Sequence, residues 1–191
     1  MEKSELEQLR YPIGRFSFPD DVTIAEVLQC ISDIEILPSR VKQAVKSLSS
    51  SDFNLIYRPD GWSIKQLVNH LIDSHSNSVI RFKLALTEDT PTIKPYLENK
   101  WALLADTELC PIDLSLNLLD NLHQRWTILL RSMTDEDWER KLFHPEHKKE
   151  FTLKQFAALY AWHCKHHLAH IELAKKSNES VFKKQNRTFD L

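Results

Sequence analysis

Apolar residues recur at three- and four-residue spacing along most of the chain, the pattern of amphipathic helices. Val27, Leu28, Ile31 and Ile34 form one stripe, with Thr23 and Glu26 at capping-box spacing before it. A helix is expected from there to about Glu35. Leu37-Pro38-Ser39 then reads as a break, because proline lacks the N–H that a helix interior needs. Val41, Ala44, Val45 and Leu48 mark a second helix from about Ser39 to Leu48, and residues 49–61, with Pro59 and Gly61, read as a loop. Ser63 and Gln66 form another capping box and open a helix to about Leu86. The stretch from Thr87 to Pro111 carries Pro91, Pro95 and Pro111 and reads as a long loop, a length usually functional inside a compact domain. Leu116, Leu119, Leu122, Trp126 and Leu129 line a helix from Asp113 to Ser132. Thr134 to Trp138 reads as a helical turn, Trp138 to Phe151 as a small hairpin, and Thr152 to Lys176 as one long helix. Residues 1–22 read as an irregular arm, and the tail Lys183 to Arg187 is expected to fray. The openings Trp62-Ser63-Ile64-Lys65-Gln66 and Phe151-Thr152-Leu153-Lys154-Gln155 match position by position, as coincident capping chemistry or as pseudo-symmetry between two core helices.

Composition narrows the class. With 191 residues, 42% hydrophobic and 27% charged, residues 1–191 suit a single globular domain. Gly14 and Gly61 are the only glycines, which excludes glycine-rich phosphate loops and favours helix. A formal net charge of −2 gives no basic field for nucleic acid. No apolar run approaches a bilayer span, and Met1 to Glu5 is too polar for a secretory signal. Cys30, Cys110 and Cys164 form neither a disulfide framework nor a zinc knuckle, so a cytoplasmic location is expected.

Candidate chemistry lies in Trp162-His163-Cys164-Lys165-His166-His167-Leu168-Ala169-His170. On a helix its four imidazoles fall within an arc of roughly 100°. His163 and His167 are one turn apart and can close on one metal ion as neutral imidazoles. A catalytic zinc commonly has three protein ligands and an open position. His70 and His75 are the candidates for the third. They lie about 140° apart around one helix, so both cannot face one metal, and His70 sits near the apolar boundary. His123, His144 and His147 read as surface residues. Cys164 points off the ligand stripe and reads as a buried inert thiol, while Asp73 and Glu172 could orient ligand imidazoles from behind.

Tyr57-Arg58-Pro59-Asp60-Gly61-Trp62-Ser63 through Asn69-His70-Leu71-Ile72-Asp73, together with Tyr160-Ala161-Trp162-His163-Cys164-Lys165-His166-His167, resembles the DinB/YfiT-like family in its YfiT branch. The arm Tyr11-Pro12-Ile13-Gly14 and the segment Arg81 to Tyr96 extend the likeness over nearly the whole chain. The resemblance implies an all-α four-helix bundle with an N-terminal arm and long inter-helix loops. It also implies one divalent metal ion per subunit, Zn²⁺ or Ni²⁺, and usually a homodimer. The ligands implied by motif are His70, His163 and His167, with His75 one helical face away. Related sequences tend to have Gly-Arg at Cys164-Lys165 and His at Asn69. The implied activity is metal-dependent hydrolysis of a small-molecule substrate. Transfer of a low-molecular-weight thiol such as bacillithiol and a non-catalytic metal-binding bundle are the alternatives.

Overall fold

The computed structural model describes residues 3–186, with side chains from 4 to 176. Four long helices carry the fold: α2 (Ile24–Val45), α3 (Ile64–Thr87), α6 (Ile112–Ser132) and α8 (Leu153–Asn186). Short elements fill the connections: α1 (Lys3–Arg10), α4 (Glu98–Trp101), α5 (Ala105–Leu109), α7 (Asp135–Glu139) and a hairpin of β1 (Lys141–His144) with β2 (Lys149–Thr152). The hairpin is antiparallel, with Leu142 opposite Phe151. Thr23 and Ser63 form the expected capping boxes, and Thr134 forms one on α7. None of the described helices is long and apolar enough to cross a membrane.

Each long helix packs on two others, in the ring order α2, α6, α3, α8. Consecutive pairs α2/α3 and α6/α8 therefore lie across the diagonal. Glu35–Arg131 and Lys42–Asp120 run α6 antiparallel to α2. Asn69–Ser115, His75–His123 and Phe82–Trp126 run it parallel to α3. His70–His163 and Arg81–Tyr160 make α8 antiparallel to α3, so α8 is parallel to α2. Uniformly antiparallel neighbours would need only short turns, but parallel neighbours need a connection as long as the bundle. Helix α3 has 24 residues, about 36 Å at 1.5 Å per residue. Residues 88–111 cover that length. They leave the end of α3 beside Phe143, which pairs with Pro91 and Ile93, and reach its start where Gln66 Nε2 donates to the Ala102 carbonyl at 3.0 Å.

Three sequence expectations are corrected. Helix α2 does not break at Pro38 but runs through it. Leu37, Val41 and Val45 bury one face on both sides of the proline, so packing overrides a local helix cost of about 3 kcal/mol. The arm is not wholly irregular, since α1 forms within it. The backbone of Lys183 to Asn186 continues α8, whereas Arg187 lies outside the described residues.

Candidate metal centre

The site lies where α3 and α8 face each other. The two helices open with matching caps. Ser63 N–H donates to Gln66 Oε1 at 2.9 Å and Thr152 N–H to Gln155 Oε1 at 3.0 Å. Two turns into α3, His70 points at α8, where His163 and His167 are one turn apart. One ring nitrogen from each of these three residues falls within a 4.8 Å cluster, and His70 Nε2 lies 3.2 Å from His163 Nε2. His70 and His167 are buried and His163 is partly so. His70 meets the α8 pair and His75 does not join it, in keeping with their separation of about 140° around one helix. His75 instead touches the far side of the same imidazole, its Nε2 lying 3.1 Å from His163 Nδ1.

A cavity of about 330 Å³ opens over the three nitrogens. Tyr11, Tyr57, Trp62 and Trp162 give it aromatic walls, and Arg10, Arg58, Asp60 and Glu98 supply its charges. Tyr57 stacks on His170 at 3.9 Å between ring centroids, and Trp162 stacks on His166 at 4.3 Å. Arg58 Nε, Trp162 Nε1 and His166 Nδ1 are buried without a hydrogen-bond partner. Both glycines serve this rim. Gly14, at φ +83, and Gly61 close turns onto the Tyr11 and Arg58 carbonyls, each at 3.0 Å.

A sequence profile described as the DinB superfamily matches residues 33–171. The chain belongs to the DinB superfamily. A Bacillus cereus protein named "Putative metal-dependent hydrolase" is 48% identical over 171 residues, spanning 90% of this chain and 98% of its own length. A Bacillus mycoides relative with the same description is 48% identical over 166 residues, spanning 87% and 95%. The solved structure of YfiT from Bacillus subtilis matches with a TM-score of 0.85 and 43% identity over 90% of this chain and 98% of that one. It is described as "a probable metal-dependent hydrolase with an unusual four-helix bundle topology". The mycothiol-dependent maleylpyruvate isomerase shares the DinB fold at a TM-score of 0.63 and 14% identity, over 82% of this chain and 63% of that one.

Within this DinB site the electrostatics favour neutral imidazoles. Burial holds the pKa of His75, His163 and His167 well below the usual 6.5, and brings His70 to about 3 and His123 to about 4. The other histidines reinforce this at the first four positions. Neutral rings with free lone pairs are what a divalent ion requires. Three close neutral nitrogens facing an open cavity fit such an ion.

The surface expectation for His123 is wrong: it is 1% exposed and lies 2.8 Å from His75. Its signal was present in the sequence, since His123 shares the α6 stripe with Leu116, Leu119, Trp126 and Leu130, but a polar residue there does not announce its partner. His144 is half-buried and His147 exposed, both away from the centre. Cys164 is buried in the core, with burial pushing its thiol pKa up, and it does not join the nitrogens. Asp73 and Glu172 do not hold the ligand rings. Glu172 pairs with Lys175, and burial together with Asp106 raises Asp73 to about 6. Histidines occupy the places expected for carboxylates.

Proposed function

We propose that the chain is a metal-dependent hydrolase in which His70, His163 and His167 hold one divalent ion, Zn²⁺ or Ni²⁺. The observation that carries this reading is the convergence of three neutral imidazole nitrogens within 4.8 Å below an open cavity. When bound, the ion supplies Lewis acidity, which brings the pKa of water toward about 7. The chain's own residues do the rest. Tyr57 and Trp62 present flat apolar walls to a small-molecule substrate, and Arg10 and Arg58 offer charge to its anionic end. Two carboxylates line the cavity, Asp60 and Glu98, and Glu98, whose pKa is raised by desolvation and by Glu146, is the candidate proton acceptor. Thiol transfer is the second reading, favoured by a cavity that has room for a ligand much larger than water.

Elemental analysis, Co²⁺ substitution and turnover assays test both readings. One ion per chain is expected, lost in His70→Ala, His163→Ala and His167→Ala. Glu98→Gln should keep the ion and lose kcat. Ester or amide turnover without a thiol response supports hydrolysis. A sulfur-to-cobalt charge-transfer band with thiol-dependent turnover supports transfer, and a wild type that takes up no divalent ion overturns both.

The chain is also proposed to act as a cytoplasmic homodimer. Leu103 and Leu109 are 77% and 76% exposed, and Leu114 and Leu118, one turn apart on α6, are exposed as well. A second copy covering these side chains would remove apolar area from water. Sedimentation equilibrium checks this, a micromolar monomer refuting it. Three unpaired cysteines suit a reducing compartment.

A further inference from the structure

Pro38 has no N–H, so the carbonyl four residues earlier in α2, that of Ile34, has no helical donor. His123 Nδ1 lies 2.7 Å from that oxygen. A carbonyl only accepts, so Nδ1 of His123 carries the proton. In a neutral imidazole the other nitrogen is then bare and must accept. It lies 2.8 Å from His75 Nδ1, which is therefore protonated. His75 Nε2 is bare in turn and accepts from His163 Nδ1 at 3.1 Å. Each step leaves one choice, and the last leaves His163 Nε2 unprotonated, its lone pair directed into the three-nitrogen cluster 3.2 Å from His70 Nε2.

We propose that Pro38, His123 and His75 form a relay that locks His163 in its Nδ1–H tautomer and aims its Nε2 lone pair at the metal position. His75 and His123 are positioning residues. Their effect on metal binding rests on the reading proposed above, whereas the tautomer assignment does not. Ligand imidazoles are ordinarily held from behind by carboxylates, backbone carbonyls or water. Here the ultimate acceptor is a backbone carbonyl exposed by a proline, reached through two neutral rings. A neutral relay fixes the ligand without adding negative charge beside the ion, so it preserves the ion's Lewis acidity. His167 has a longer counterpart. His170 Nε2 donates to the Arg10 carbonyl at 3.2 Å, and its Nδ1 lies 3.4 Å from His167 Nδ1. Both nitrogens of His170 are thereby engaged. This accounts for the second cluster, His166, His167 and His170, as support for the first rather than as another metal site.

The test is nitrogen-15 NMR of histidine-labelled protein, which distinguishes the two tautomers, combined with zinc competition titrations. Metal-free wild type should show His163, His75 and His123 all protonated at Nδ1. His123→Leu should give a mixed His163 tautomer and about 10–100-fold weaker zinc binding. His123→Gln should restore both, because its Oε1 accepts from His75 and its Nε2 donates to Ile34. An Nε2-protonated His163 in wild type overturns the relay, a result that needs no variant to fold. So does folded His123→Leu with wild-type affinity. Wild type that binds no zinc but shows the expected tautomers would sink the metal reading and leave the relay standing.

Discussion

Gly61 leaves no room for a Cβ. One placed there would lie 2.8 Å from Arg58 Cγ, 3.0 Å from the Arg58 carbonyl oxygen and 3.1 Å from Tyr57 Cε1. The turn it closes carries Tyr57 against His170 and Arg58 into the cavity. Gly61→Ala must therefore push backbone as well as side chain, and should destabilise by about 1–3 kcal/mol. At Gly14 nothing lies within 4 Å, so only the left-handed φ opposes a side chain. Gly14→Ala should cost roughly 1 kcal/mol. Urea denaturation of both variants measures the difference. Tryptophan fluorescence should also move in Gly61→Ala, because Trp62 follows the turn. An unperturbed Gly61→Ala would mean that the turn is looser than its contacts imply.

At the scale of elements, the sequence carried most of the helices. The capping residues Thr23 and Ser63 start α2 and α3 at the expected places, and of the stripe expected on α6 Leu116, Leu119 and Trp126 are buried while Leu122 and Leu129 are partly so. The matched openings of α3 and α8 proved to share more than caps. Gln66 and Gln155 each accept from the capping residue's N–H, and each donates its amide to a covering segment, at Ala102 and at Pro19. The His163/His167 pair was legible from helical spacing, whereas spacing left His70 and His75 both open and only the family resemblance singled out His70. Pro38 misled because its rule is local. The carbonyl it frees is answered by a histidine 89 residues away, which no periodicity encodes. Helix direction was hidden for a similar reason. Stripes show which face is buried but not which neighbour covers it.

Across the whole molecule, burial keeps a set of imidazoles neutral, and this sets the response to acid. His123 and His170 have pKa values near 4, and His70 and His166 near 3, against 6.5 in an open chain. Below about pH 6.5 the unfolded chain takes up protons that the fold refuses. Stability should therefore be complete above that pH and fall as it drops toward 4. A fully buried histidine such as His123 contributes a slope of up to about 1.4 kcal/mol per pH unit. Asp73, raised to about 6 mainly by burial, acts in the opposite sense and favours the fold on the acid side. Urea midpoints of metal-free protein at several pH values between 7.5 and 4.5 check the balance. A flat profile would show that the imidazoles are not held neutral.

The diagonal order of the helices also bears on how the chain reaches this state. His70 and His163 meet across 93 residues, and neither α2 with α3 nor α6 with α8 forms a neighbouring hairpin that could fold first. Most of the bundle's pairings must close long loops before they bring any burial, which raises contact order well above that of an up-and-down bundle. The nitrogen cluster joins α3 to the final helix of the bundle. It comes into existence only when α8 docks on α3, so an ion that binds there reports that one long-range pairing and no local helix.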